Sequence, residues 1–580
     1  MSSVAQLLVD HLDIWSGAVE RKNGAGRGNG GKTSLYGIEK LRALILDLAV
    51  RGKLLPQDAT DQPASELLKR IKNAKNSLER GKRAQAEKSF VAPTEFALPR
   101  GWSWTRLIDI AEINPRNEAP DDRDASFVPM PLVSTRIDGA HESEIRRWGE
   151  IKAGYTHFAD GDIALAKITP CFENGKAALF QNLENGIGAG TTELHVARPY
   201  LDEVNRRYLL IVLKTPRYLV EGEANMTGTA GQKRVPRSYF ELTPIPFPPV
   251  AEQARIVAKV DELMALCDAL EAGTLEAMEA HEKLVRELLA TLVNSQDPAD
   301  LAANWSRIET NFEVLFSTEE SIDALKRTIL DIAASGRLAP SSPKDTDPTD
   351  RRRELGRARI QLKARSRDAR IPDQIAPPGE PLGFGVPTHW QQAPFDELFL
   401  FVDYRGRTPP KSTDGVPLIT AKNVRPGYLD REPREFIPNE LFSDWMTRGF
   451  PRRGDLFFTT EAPLGNICLN SIEEPFAIAQ RVICLQPYAD LNTAFFMYVI
   501  MSPLFQRRLA SDATGMTATG IKASRLKRIP LPFPPEEEQQ RIVERVELLL
   551  NLCESAKQRL SDQEASCALL ASALSQAATS

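Results

Sequence analysis

The 580-residue chain has little of what builds disulfide, metal or membrane frameworks. Its cysteines are Cys171, Cys267, Cys468, Cys484, Cys553 and Cys567. They include no C-x-x-C pair and are too sparse for a disulfide framework, so a reducing, cytoplasmic setting is expected. The six histidines are scattered and form no H-E-x-x-H, which leaves a zinc site little support. No stretch of about 18 uncharged apolar residues occurs, which excludes a spanning helix. The N-terminal run MSSVAQLLVDHLDIW has no basic start and meets Asp10 early, unlike a secretory signal. Excess charge of one sign is also missing: a net charge of −5 argues against a uniformly basic nucleic-acid binder. If DNA is the partner, local patches must bind it. The remaining composition, 42% hydrophobic and 26% charged, is ordinarily globular, and the length predicts about three to five structural units.

Catalytic signatures are equally thin. GRGNGGKT (26–33) fits G-x-x-x-x-G-K-T, in which Lys32 would meet a phosphate and Thr33 a magnesium ion. That motif needs a hydrophobic strand before it. Here it follows an expected amphipathic helix (4–21) and the polar run ERKNGA, and its glycines suit a flexible linker. The acidic residues form no nuclease-like cluster at motif spacing.

What the chain does have is an internal duplication. IEKLRALILDLAVRGKLL (38–55) is echoed by IDALKRTILDIAASGRL (322–338), and LPRGWSWTRL (98–107) by VPTHWQQAPF (386–395). PLVSTR (131–136) returns as PLITAK (417–422), and Gly161-Asp162 as Gly454-Asp455. TGTAGQKRV at Thr227 returns as TGMTATGIK at Thr514. PIPFPPVAEQARIVAKVDELMALC (244–267) matches PLPFPPEEEQQRIVERVELLLNLC (530–553) without a gap, 14 of 24 positions being identical at an offset of 286. Such a period is too long for a solenoid unit, so a whole module is present twice.

Each half has the same order. A helical segment opens it (about 35–90 and 318–370), a Gly- and Pro-punctuated mixed region follows, and a long helix closes it (251–295 and 536–576). Runs such as DIALAKI and DLFFTT read as strands, which makes the mixed regions compact α+β domains. Ile256, Val260, Leu263, Cys267 and Leu270 recur at helical spacing, as do Ile542, Val546, Leu549, Cys553 and Ala556. Paired prolines precede both helices, and Glu252 and Glu536–Glu538 fill their first turns, as helix starts require. Gly273 is the weak point. A helix of 40 residues is about 60 Å long, and its single apolar stripe needs a partner such as the other helix. The expected divisions are 1–34 (N-terminal helix and Gly-rich linker, without counterpart), 35–95 (helical), 96–250 (mixed), 251–317 (long helix and connector), 318–385 (helical), 386–535 (mixed) and 536–580 (long helix).

The doubled P-[IL]-P-F-P-P-x-x-E-Q-x-R-I-V stretch, the doubled ILDLAVRGKL-like helix and the T-G-T and T-G-M-T loops resemble the specificity subunit of type I restriction–modification enzymes. The likeness runs from about residue 35 to the end. It implies two target recognition domains, each reading one half of a split double-stranded DNA sequence, on two long antiparallel helices that act as a spacer. It further implies a non-catalytic chain that joins two modification (methyltransferase) subunits and two restriction (ATP-dependent translocase and nuclease) subunits. S-adenosylmethionine, Mg2+ and ATP would belong to those partners, with no cofactor here. In keeping with this, the Pro-Pro pairs FPPV, APPG, TPPK and FPPE include no [DN]-P-P-[FY] methyl-transfer step. Antiparallel helices would give the modules a pseudo-two-fold axis matching the DNA dyad, with half-site centres one turn of about 34–36 Å apart. Modules so different in sequence predict unlike half-sites. The rival readings are a protein-binding scaffold and a P-loop enzyme.

Neither mixed region is basic as a whole: 98–250 holds 18 Lys/Arg against 20 Asp/Glu, and 386–535 holds 17 against 15. The cations are clustered. In the first region Lys167, Thr169, Asn174 and Lys176 lie in AKITPCFENGK, and Gln232, Lys233 and Arg234 follow TGTAG, with Arg237 beyond. In the second, YRGRTPPKST carries Arg405, Arg407, Thr408 and Lys411, Lys422 and Arg425 follow an expected strand, and Lys522 and Arg525 follow T-G-M-T, with Lys527 and Arg528 beyond. Such loops offer guanidinium forks and ammonium groups to guanine edges or phosphates. Two stronger basic runs, 66–88 and 351–370, read either as phosphate- or partner-contacting surfaces or as plain solvated helix faces.

Overall fold

A computed structural model describes residues 10–22, 32–78, 93, 96–229, 231–366, 368, 370–375, 377–404, 408–514 and 520–579. The chain divides into two compact units, one of residues 1–277 with 562–580 and the other of residues 278–561. Both are α+β, and both are built from the same parts.

The first unit opens on helix Leu12–Gly17, whose Trp15 is fully buried. Gly37, in helix Tyr36–Val50, lets the two segments touch: a Cβ there would stand 2.2 Å from the Trp15 carbonyl oxygen. The expected helix over 4–21 is corrected at its end. Ala18 is extended, and Glu20–Lys22 pairs antiparallel with Lys32–Ser34. Lys32 and Thr33 lie in a strand, not at the helix start that a P-loop uses, and residues 26–31 are outside the described set.

Each expected opening helical segment is two helices: Tyr36–Val50 and Ala64–Leu78 in the first unit, Glu319–Ala334 and Pro348–Ser366 in the second. Their apolar faces carry Leu41, Leu44, Ile45 and Leu48, and Leu325, Ile329 and Ile332, all buried. The polar edge of each points to a long helix in an equivalent way. Arg42 meets Asp268 at 2.5 Å, and its counterpart Lys326 meets Glu554 at 2.5 Å.

In the first mixed region one sheet runs Glu144–Arg147, Asp124–Val128, Ile187–Gly190, Thr156–Ala159, with the central pair parallel. A second runs Ala111–Ile113, Leu194–Pro199, Ile163–Ala166, Ala177–Leu179, all antiparallel. The second mixed region repeats the latter as Phe399–Asp403, Val482–Pro487, Leu456–Thr459, Ile467–Leu469. Strands Ile163–Ala166 and Leu456–Thr459, expected from DIALAKI and DLFFTT, are buried along their whole length, which explains why they read as continuous apolar runs. The Gly-Asp steps before them are structural. Asp162 accepts from Arg198 Nη2 at 2.7 Å, and Asp455 accepts from Gln486 Nε2 at 2.6 Å.

The duplicated Pro-rich stretch closes each mixed region. Pro244–Phe247 pairs with Ser103–Arg106, and Pro530–Phe533 with Gln391–Pro394. The chain then enters helices Val250–Val293 and Glu536–Thr579, each of 44 residues. Gly273 lies inside the first without breaking it. The E-Q pair explains the start. Gln253 is fully buried. Its Nε2 donates to the Pro248 carbonyl at 2.9 Å, and its Oε1 accepts from the Asn205 amide at 2.9 Å. Gln539 repeats only the first bond, to Pro534 at 2.9 Å. Glu252 accepts from the Trp102 indole at 2.9 Å and Glu538 sits 2.9 Å from His389 Nε2. Arg541 locks onto Asp345 at 2.7 Å, as Arg255 does onto Asp61. Among the described residues no helix is long and apolar enough to cross a membrane.

These bonds predict an asymmetry. Gln253→Ala removes two hydrogen bonds at a buried site, costing about 2 kcal/mol, and Gln539→Ala removes one, costing about 1 kcal/mol. Hydrogen-exchange mass spectrometry should show faster exchange over 244–256 in the first variant than over 530–542 in the second.

Candidate nucleic-acid interface

The two groups of polar residues singled out in the first mixed region, 167–176 and 232–234, are brought together by backbone hydrogen bonds. The Val235 amide donates to the Lys167 carbonyl at 2.8 Å, and the Thr169 amide donates to the Lys233 carbonyl at 3.0 Å. The Lys167 amide donates to the Glu193 carbonyl at 2.9 Å, which adds the end of the neighbouring strand. Thr227 and Arg234 exchange both backbone bonds, at 3.0 and 2.8 Å, which closes the T-G-T loop on itself.

The second mixed region uses the same ladder. The Ile521 amide donates to the Thr460 carbonyl at 3.0 Å, and the Thr460 amide donates to the Arg481 carbonyl at 3.1 Å. Thr514 and Gly520 exchange both bonds at 2.9 and 3.1 Å. The ladder pairs Lys167 with Thr460, Glu193 with Arg481, and Arg234 with Gly520. The backbone is therefore conserved between the halves while the charges are not. In the first half Arg234 forks onto Glu193, with Nη2 to Oε1 at 2.8 Å and Nε to Oε2 at 2.9 Å. In the second the pair is Arg481 with Glu461 at 2.8 Å, so the strand-end charge has changed sign. The Arg234 fork holds the Glu193 carboxyl below its ordinary range.

The sequence-selected residues divide by what they touch. Lys176 Nζ donates to the Met130 carbonyl at 3.0 Å, and Thr169 Oγ1 to the Lys233 carbonyl at 3.3 Å. The Lys167 ammonium stands in the field of Glu193, and among the described residues its Nζ has no hydrogen-bond partner. Gln232, Lys233 and Asn174 are exposed, and among the described residues their side chains have no hydrogen-bond or ion-pair partner. Lys411 meets Glu435 at 2.6 Å, and Lys422 lies 3.9 Å from the same carboxylate. Thr408 Oγ1 donates to Gln480 Oε1 at 3.3 Å. Arg525 Nη1 donates to the Asp512 carbonyl at 3.0 Å, while Lys522 is exposed and unpaired among the described residues. Arg405 and Arg407 lie outside the described residues, as does most of the T-G-M-T loop, 515–519. Glu193, Glu435, Glu461 and Arg481 were missed by sequence reasoning. Only aligning the two halves strand by strand would have found them.

The basic run over 351–370 largely faces its own protein. Arg352 forks onto Glu397 at 2.7 Å, Arg359 bonds the Pro372 carbonyl, and Lys363 meets Asp373 at 2.5 Å. In the run over 66–88, Lys75 donates to the Ile108 carbonyl at 2.7 Å and residues 79–88 are outside the described set. Among the described residues no group of three or more His, Cys, Asp or Glu side chains could hold a metal ion.

The family described as "Type I restriction modification DNA specificity domain" matches residues 99–280 and 447–563. The chain is also 41% identical to the Type I restriction enzyme EcoAI specificity subunit of Escherichia coli, over 99% of this chain and 100% of that one. It belongs to the type I restriction–modification specificity subunits. The EcoEI specificity subunit of Escherichia coli is likewise 41% identical, over 99% of this chain and all of its own length. Among solved structures, the HsdS subunit from Thermoanaerobacter tengcongensis matches at a TM-score of 0.43 and 18% identity, over 84% of this chain and 98% of that one. Specificity subunits are non-catalytic and carry no cofactor of their own; catalysis resides in other subunits of the assembly.

For this specificity subunit the pairing pattern separates two kinds of cation. Arg234→Ala should loosen the loop, with faster amide exchange at Thr227 and Val235, because the fork on Glu193 is lost. Lys233→Ala should leave exchange unchanged and lower the slope of log affinity for DNA against log salt by about one.

Proposed function

We propose that the chain reads an asymmetric, bipartite double-stranded DNA target, with residues 96–250 reading one half-site and residues 386–535 the other. The observation that carries this is the shared backbone ladder with altered side chains. A common scaffold frames the ends of the T-G-T loop at Thr227 and Arg234 and of the T-G-M-T loop at Thr514 and Gly520, and different charges at matched positions give each half its own chemistry. Exposed Lys233 and Lys522 suit phosphate contact, and Gln232, Asn174 and Thr408 suit base edges. Arg405, Arg407, Lys411, Lys422 and Arg525 complete the proposed set in the second half, with Lys167, Thr169, Lys176 and Arg234 in the first.

The two long helices pair antiparallel and fix the gap between half-sites. Their equal length of 44 residues supports this. The helical segments at 35–95 and 318–385 and the helix faces receive two modification subunits, which bind S-adenosylmethionine. Two restriction subunits that use ATP and Mg2+ join through them, and the assembly works in the cytoplasm. Duplication supports a pair of equivalent docking surfaces.

Exchanging residues 98–250 for the matching segment of another family member should change one half of the methylated sequence and leave the other half intact, as read by sequencing genomic methylation. A change in both halves would remove independent reading. Inserting one helical turn into Val250–Val293 should lengthen the unspecified gap, and an unchanged gap would take the helix out of the spacer role.

A further inference from the structure

Lys214 is the unusual charge of the first unit. It follows helix Arg206–Leu213 and is 6% exposed. Its Nζ donates to three backbone carbonyls, Thr135 at 3.0 Å, Arg136 at 2.7 Å and Gly175 at 2.8 Å. The first two belong to the loop after PLVS, and the third to the AKITPCFENGK turn. One buried ammonium therefore joins the 167–176 loop of the candidate interface to the loop after PLVS beside it. Among the described residues no carboxylate bonds it. The charged groups that bear on it are Asp138, itself held by Arg136 at 2.6 Å, and Arg207, which pairs with Asp261. Burial brings the ammonium down to about 7.

The second mixed region makes the corresponding join without a charge. Lys214 precedes Thr215-Pro216, where Thr215 caps helix Pro216–Ala224. Met501 precedes Ser502-Pro503 in the same way, with Ser502 capping Pro503–Ser511. In place of the ammonium, Asn466 Nδ2 donates to the Val424 carbonyl at 2.9 Å, and Gln506 Nε2 donates to the Gly465 carbonyl at 3.0 Å.

We propose that Lys214 is a positioning residue of the first recognition domain. Its ammonium holds the 134–139 and 168–176 loops in one arrangement, so base discrimination in that half-site depends on it. The proposal rests on the reading of residues 167–176 as part of the DNA surface. Three acceptor-only carbonyls need three donors, which the ammonium supplies and the neutral amine, with two, does not. The folded pKa lies below the unfolded one, so from about pH 7 up to the ordinary lysine value the folded state releases a proton that the unfolded chain keeps. Folding stability rises with pH across that window, while the tie between the loops loses a donor. Discrimination thus weakens as stability grows, which separates positioning from a general structural role.

The test uses the chain assembled with its partner subunits and duplexes that carry the target defined by genomic methylation. Single wrong bases are placed in one half-site or the other, and competition binding is measured at pH 6.5 and 8.5. Lys214→Met should reduce discrimination in the first domain's half-site by about tenfold, the size of one good base contact, and leave the other half-site unchanged. The native chain should discriminate less at pH 8.5 than at 6.5 in that half-site alone. Lys214→Arg, which stays charged, should flatten the pH profile. Equal losses in both half-sites, no loss in either, or a pH profile that persists in Lys214→Arg would overturn the proposal. If Lys214→Met does not fold, the native and Lys214→Arg profiles decide. If exchanging 98–250 fails to alter any half-site, the DNA reading itself fails. If that exchange works and the Lys214 variants behave as the native chain, only the positioning role falls.

Discussion

The backbone bonds from Val235 to Lys167 and from Ile521 to Thr460 are the constraint on which the two halves depend. Each ties a loop near the end of a mixed region to the end of a strand near its middle. Main-chain groups carry these bonds, so the side chains around them are free to differ. That freedom allows a duplicated module to keep its fold while changing what it presents. The Glu193–Arg234 pair and the Arg481–Glu461 pair are two solutions built on one frame.

A second layer of bonds holds the frame to the long helices. The buried Gln253 and Gln539 fix the turn from the Pro-rich strand into each helix, and Arg255–Asp61 and Arg541–Asp345 tie the helix starts to the preceding loops. Arg42 and Lys326 add a third matched contact further along. Gln253, Gln539, Arg255, Arg541, Arg42 and Lys326 all lie in the duplicated stretches of the two halves. Where the halves have drifted, as at Lys214 and Met501, the same join is made with different groups.

Much of the fold was legible because it depends on local pattern. The helical repeat of Ile256, Val260 and Leu263, and the proline pairs before it, mark the helix start directly. The apolar runs IALA and LFFT mark buried strands. The duplication revealed two modules without any geometry. The helix over 4–21 was misjudged because Gly17 and the hairpin after it override a weak amphipathic pattern. The candidate site was legible only in pieces. Its loops were found from their polar residues, but nothing local shows that 167–169 meets 233–235, since that contact is tertiary. Glu193 and Arg481 sit at strand ends with no motif around them, and Lys214 reads as an ordinary helix-end cation until its burial is seen. Charge counts could not separate Arg234 and Lys411, which have carboxylate partners, from Lys233 and Lys522, which have none among the described residues.

The central claim is that one backbone frame, used twice, delivers two different reading surfaces to one DNA duplex. Site-specific photocrosslinking of the assembled complex, with the crosslinker placed at position 233 or at position 522, tests it most directly. The account predicts crosslinks from the two positions to opposite half-sites of the same target. Crosslinks from both positions to the same half-site, or only to protein, would contradict it.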